Sequence, residues 1–306
     1  MKSLSDRLAA ARGGAAVGPV LARGILKVTG KDRQDFLHRL STQRVAGLAP
    51  GAAAYAAFLN VKGHVLAEGH VVLRADDVLL DVDPRAAEPL RLHLAKYVIM
   101  DDVEVEDVSA AWRVVPALGP TGVGLARGRA PGGATAWENP RRGAPALDVL
   151  LPAADAEPFR AGCEAAGATP LSEEDLEVLR VMAGIPRFGA DVDEGRLPME
   201  AALMASAVSF DKGCYLGQEV VLRGTFRGQI QRGLVQLALP AGAAPGAPLA
   251  TATGQEVGVV TSAADTPAGR LGLGYLRRAH WREGERIATT GGDAVVTKVL
   301  VEERDR

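Results

Sequence analysis

The 306-residue chain carries 47% hydrophobic and 24% charged side chains, the balance of a globular protein with enough core for two or three compact units. A formal charge of −2 gives no general pull toward nucleic acid or an anionic membrane, and no run approaches the ~20 apolar residues of a spanning helix. Its two cysteines, Cys163 and Cys214, form no CxxC pair, which argues against a disulfide framework or a structural zinc site.

Taken in chain order, residues 5–12 read as a short helix stopped by Gly13 and Gly14, and 20–28 as a strand. Residues 32–40 place Phe36, Leu37 and Leu40 on one helical face. Strands follow at 54–59, 65–73 and 78–82, the first two joined by a turn at 60–63. Asp83 and Pro84 suit a helix start, with Leu90, Leu94 and Val98 at helical spacing. The Gly-, Pro- and Arg-rich stretch 119–145 is expected to be a long surface excursion. A strand at 147–151 and a helix at 157–166 come next, then a capping box, Ser172 with Asp175, ahead of Leu176, Leu179 and Met182. Residues 185–198 should be irregular. Beyond Arg232, strand-like runs at 234–239, 257–261, 271–276, 287–290 and 295–301 alternate with turns, as in a small barrel or sandwich. Hairpins and helices of this kind make the class α+β. The expected units are 1–110, 111–228 and 229–306, the last all-β. The amino terminus lacks the apolar run of a secretory signal, so a cytoplasmic location is expected.

One segment stands apart: Phe210-Asp211-Lys212-Gly213-Cys214-Tyr215-Leu216-Gly217-Gln218-Glu219. A cysteine between two glycines, with Lys212 before it and Arg223 beyond, fits a thiol whose thiolate is favoured by neighbouring cations. A helix starting near Gly217 would add its positive end, while Glu219 acts the other way. The bland alternative is a small buried hydrophobe in an ordinary glycine turn. Residue chemistry leaves both open.

The run from Lys212 to Glu219 resembles the signature of the YgfZ family, K-G-C-Y/F-x-G-Q-E. The flanks agree: Pro198-Met199-Glu200-Ala201 before it, Arg223 and Phe226-Arg227-Gly228 after it. Arg180 through Pro186 is similar to the family's R-x-x-A-G-I-P element, and residues 36–43 and 58–66 match in kind and order. The resemblance implies the fold of the glycine-cleavage T-protein, with two intertwined α+β domains and a C-terminal β-barrel around a central hole. It also implies a monomer that binds tetrahydrofolate or a one-carbon derivative and supports assembly or repair of iron–sulfur enzymes. Cys214 would be the functional thiol at the folate cleft, with Lys212, Gly213, Tyr215, Gly217, Gln218 and Glu219 shaping its turn.

A rival is an aminomethyltransferase like the T-protein itself. Its leading catalytic acid would align with Ala67, followed by Glu68, and its pterin-binding glutamate with Met182. A thioether cannot accept a pterin's N–H edge, so methylene transfer is disfavoured on this alignment. A third reading is an interaction protein that has lost folate. For folate itself, candidates are Tyr55, Phe58, Asn60 and Glu68 around the hairpin, with Arg223 and Arg227 as cations for the tail. Arg141 and Arg142 read as a solvated pair, and Ala202 stands where many YgfZ relatives carry asparagine. His38, His64, His70, His93 and His280 show no metal-ligand spacing, so no metal is expected.

Overall fold

The computed structural model describes residues 2–226 and 230–301, which leaves Arg227 outside the described residues. The chain begins with α1 (Leu4–Gly13), β1 (Ala16–Val17), β2 (Gly24–Thr29) and α2 (Arg33–Leu40). The meander β3 (Ala53–Leu59), β4 (Val65–Leu73) and β5 (Val78–Val82) leads into α3 (Pro84–Ala95) and β6 (Glu104–Asp107). Then come β7 (Trp112–Leu118), α4 (Pro120–Arg129), β8 (Thr135–Glu138), β9 (Ala146–Pro152), α5 (Ala153–Ala165), β10 (Thr169–Pro170) and α6 (Glu173–Ala183). Two short helices, α7 (Met204–Ala207) and α8 (Gln218–Phe226), precede an all-β tail. That tail comprises β11 (Arg232–Ala238), β12 (Pro248–Ala250), β13 (Glu256–Thr266), β14 (Gly269–Arg277), β15 (Arg286–Thr289) and β16 (Gly292–Val299).

These strands form an antiparallel sheet ordered β3-β4-β5-β2-β6, a second sheet β10-β1-β7-β9-β8, and a closed barrel β11-β14-β13-β12-β15-β16. The α+β class with a terminal barrel is the expected one. The barrel has a sixth strand, β12, too short to carry an alternating pattern of its own.

The stretch 119–145 is not an excursion. It contains α4 and β8, joined by a tight turn at Pro140–Arg142 to β9. Pro120 occupies the first helical turn, where its missing N–H costs nothing. Gly122 lies so close to β1 that a Cβ there would come within 2.9 Å of the Ala16 carbonyl oxygen. A glycine that reads locally as a breaker is thus required for helix–strand packing, a constraint visible only in three dimensions.

The packing also interleaves the chain. Residues 8–17 join the core of the second sheet, while Phe188, Met199, Leu203, Tyr215 and Val221 join the core of the first. The linear division at 110 therefore cuts across both cores, and the signature segment packs with the first sheet.

Candidate functional site

Strand β4 shows how the site is made. Side chains alternate across a strand, so Val65, Ala67, Val71 and Leu73 enter the core beneath α2 and α3. The opposite face carries Glu68, His70 and Val72, toward the second sheet. Val72 meets Ile25, Leu79, Val114, Trp137 and Leu150 in an apolar contact between the two sheets. Glu68 and His70, with Asp81 of β5 and Tyr55 of β3, instead wall a cavity of about 540 Å³. On the far side α6 contributes Glu173, Leu176, Glu177 and Arg180, spaced along one helical face, and Arg141, Pro186 and Arg187 complete the wall.

Buried polar groups on these walls are paired, as their desolvation demands. Glu68 accepts the Tyr55 hydroxyl in a short hydrogen bond and the Phe188 backbone N–H at 3.0 Å. Arg23 donates to Asp81 at 2.6 Å, and burial nevertheless raises the Asp81 pKa above the ordinary carboxylate value. Burial works against the charge on Asp148 too, but Arg142, bidentate at 2.8 and 2.9 Å, and Asn139 at 2.7 Å hold its pKa below the ordinary value. His70 is pushed down to about 4 by burial, so its imidazole is neutral at physiological pH. Burial likewise raises the Tyr55 hydroxyl well above the ordinary tyrosine range. The Arg141 guanidinium lies 4.0 Å from the centre of the Tyr55 ring. The Arg141–Arg142 pair is therefore part of the cavity wall rather than a solvated loop.

Strand register also revises the comparison of acids. Ala67 is fully buried in the helix-side core, and the carboxylate that reaches the cavity is Glu68. Met182 is off the cavity face of α6. It packs with the second core and lies 3.4 Å from an Arg12 nitrogen. Neither Ala67 nor Met182 lines the cavity.

Of the remaining candidates, Phe58 is fully buried in the first core. Asn60 uses its side-chain oxygen to accept the Lys62 and His64 N–H groups, closing the hairpin turn at 2.9 and 3.1 Å. Arg223 is exposed and does not line the cavity. The Tyr55 ring has one face covered by Arg141, so its contribution is to hold Glu68 rather than to offer a free stacking surface. Sequence reasoning missed Arg23, Asp81, Glu177 and the stacked Arg141. For Asp81 and Glu177 the signal was a polar residue at a strand or helix position whose neighbours on that face are buried, whereas Arg23 and Arg141 lie outside strands and α-helices and carried no such signal.

The signature segment is built on α2. Lys212 is buried, and its ammonium donates to the carbonyl oxygens of His38, Ser41 and Gln43, the last two at 2.6 and 3.0 Å. Helix C-termini leave such carbonyls without intrahelical partners. Burial and then Arg44 push the Lys212 pKa down to about 8. The hydrogen-bond donors of Lys212 are thus committed to backbone. Ser209 N–H donates to Thr42 O, the Thr42 hydroxyl to Ala207 O, and Leu216 N–H to Arg39 O. Tyr215 is buried in the first core, and Gln218 and Glu219 open α8. Gly217, at φ +82°, lies against the β3–β4 turn, where a Cβ would come within 2.8 Å of the Asn60 carbonyl oxygen. The three motifs at 36–43, 58–66 and 210–219 therefore meet in space.

Cys214 and Gly213 are exposed at the outer edge of this assembly, and a Cβ on Gly213 would meet nothing within 4 Å. Cys214 does not line this cavity. Ala202 takes φ +54°, a left-handed conformation that asparagine tolerates better than alanine, which gives the position a backbone role.

No group of three or more potential metal ligands occurs among the described residues. No helix among them is long and apolar enough to cross a membrane.

Comparison with known proteins agrees with this fold. The GCVT N-terminal domain family matches residues 2–128, and the CAF17 C-terminal beta-barrel domain family matches residues 231–301. An aminomethyltransferase T of the glycine cleavage system from Bartonella henselae superposes with a TM-score of 0.84, covering 98% of this chain and 90% of its own. At 21% identity that likeness establishes the fold alone. The mouse mitochondrial iron-sulfur cluster assembly factor IBA57 is 31% identical, over 91% of this chain and 82% of the mouse protein. Its human counterpart is 33% identical, over 77% and 71% respectively. With a GCVT-type body, a CAF17-type barrel and this degree of identity, the chain belongs to the IBA57 family.

Proposed function

We propose that this protein is an accessory factor of iron–sulfur cluster assembly or repair, of the YgfZ type, that holds a reduced folate between its two sheets and presents Cys214 outward. The observation that carries the first half is the 31–33% identity to factors named for iron–sulfur cluster assembly, spread over most of the chain. The partners are then the assembly machinery or a client iron–sulfur enzyme, reached by the exposed turn of Gly213 and Cys214. Both cysteines are unpaired, which suits a reducing compartment such as the cytoplasm.

The cavity supports the second half. Its volume of about 540 Å³ falls in the range of small-molecule sites. Tetrahydrofolate needs an apolar slot, acceptors for the N–H edge of its pterin, and cations for its carboxylate tail. Leu21, Leu176, Ile185 and Pro186 supply the slot, and Glu68 and Glu177 supply carboxylates. Glu68 has lone pairs to spare, since a carboxylate offers about four acceptor sites and two are used. When bound, the folate supplies a one-carbon carrier. Tyr55 and the Phe188 N–H keep the Glu68 carboxylate turned toward it.

Calorimetric titration with tetrahydrofolate under anaerobic conditions tests the ligand: saturable binding weakened in Glu68→Ala is expected, and absence of heat at millimolar ligand removes folate. Iron–sulfur enzyme activities in a strain lacking this chain test the pathway, and unchanged activities remove that half.

A second reading, aminomethyl transfer, gains one specific observation: the strand register delivers a carboxylate, Glu68, to the cavity. Incubation with an aminomethyl donor and saturating tetrahydrofolate discriminates. Methylene-folate formation lost in Glu68→Gln supports transfer, and absence of turnover eliminates it.

A further inference from the structure

Five arginines line the cavity, and four are matched to carboxylates. Arg23 pairs with Asp81, Arg142 with Asp148, Arg180 with Glu177 and Asp191, and Arg187 with Glu177. Arg141 is the exception. No carboxylate oxygen of a described residue lies within 4.0 Å of its nitrogens. It has instead the Pro186 carbonyl oxygen at 2.6 Å, the Ser206 hydroxyl at 3.3 Å and the face of Tyr55 at 4.0 Å. These contacts orient the guanidinium without neutralising it, and they use two of its five N–H donors. A planar cation fixed on an aromatic ring, half-buried at a ligand-sized cavity, is preorganised for an anion, above all a carboxylate taken by two parallel hydrogen bonds.

We infer that Arg141 is the anchor for the anionic tail of the cavity's ligand, and that on the folate reading, on which this inference rests, it binds a carboxylate of the glutamate moiety. The task expected of Arg223 and Arg227 thus falls to a residue of the β8–β9 turn. Arg141 stands over Tyr55 and so beside Glu68, which places the heterocycle away from this corner, toward Glu177 on α6. Arg141 is a specificity-determining residue here: it selects tailed folates over simple pterins.

The test measures affinity by calorimetry for tetrahydrofolate and for 6-methyltetrahydropterin, which keeps the ring and lacks the tail. Wild type is compared with Arg141→Ala, Arg141→Lys and Arg141→Gln, the last retaining hydrogen-bonding capacity without charge should the alanine variant fold poorly. Loss of one charge-assisted contact predicts tetrahydrofolate binding weaker by about 10- to 100-fold in Arg141→Ala and Arg141→Gln, with pterin affinity unchanged. Arg141→Lys should recover part of the loss. Equal weakening toward both ligands, or none toward either, overturns the assignment. If wild type binds neither, the folate reading itself has failed, a result separable from failure of the anchor.

Discussion

Lys212 donates a 2.6 Å hydrogen bond to the carbonyl oxygen of Ser41, a residue 171 positions earlier in the chain. The signature lysine is thereby the cap of a distant helix. Replacing it by methionine leaves the carbonyls of His38, Ser41 and Gln43 buried without their donor, at a cost of about 2–3 kcal/mol. Urea unfolding should show that loss, and the amides of Ser209 and Leu216 should exchange faster, because they bond to the same α2 region. Lys212→Arg should not restore stability, since a planar fork cannot aim at three converging carbonyls. Unchanged stability in Lys212→Met would refute the capping role.

Arg180 links three parts of the fold through Glu177 on α6, Asp191 in the irregular segment at 2.7 Å, and Ser262 on barrel strand β13 at 2.7 Å. Arg180→Met strands the fully buried Asp191 carboxylate, a change that typically costs about 3–5 kcal/mol. Adding Asp191→Asn should recover part of the loss. Thermal unfolding of the single and double variants measures both, and a simple sum of the two losses would show the pair is not coupled.

His70 makes stability depend on acid. Its folded pKa of about 4 lies below the ordinary 6.5 because burial disfavours the charged ring. The unfolded chain therefore binds a proton that the folded chain refuses, and stability falls as pH drops from 6.5 to about 4. The shift corresponds to about 3 kcal/mol. His70→Gln should lose that much less than wild type across this window in pH-dependent urea unfolding. Parallel curves would place the acid sensitivity elsewhere.

The two cysteines should behave oppositely. Cys214 is exposed, whereas Cys163 is buried, and burial raises its thiol pKa. Alkylation of the native protein, read by mass spectrometry, should modify Cys214 and reach Cys163 only after denaturation. Cys214→Ala should change stability by no more than about 0.5 kcal/mol, the usual range for surface substitutions. In cells the same variant should fail to support iron–sulfur enzymes. Full complementation by Cys214→Ala would remove the thiol from the function.

Much was determined by the sequence alone. Apolar periodicity located α2, α6 and the β3–β5 meander, and Ser172 with Asp175 marked the start of α6 by a capping box that the fold contains. Those signals are local: they depend on residues within one or two turns of each other. The segment 210–219 also stood out by composition, and its resemblance pointed to iron–sulfur biogenesis. What each of its residues does was decided by tertiary contacts. Lys212 read as a partner for its sequence neighbour Cys214, yet its charge is satisfied by backbone from residues 38–43. Glu68 and Ala67 could be told apart only by the pairing of β3 with β4 and β5, because a one-residue step in register exchanges core for cavity. Arg141 acquired its meaning last, when the fold gave every other cavity arginine a carboxylate and gave this one a tyrosine ring. Charge compensation is a sum over spatial neighbours, and no spacing along the chain encodes it.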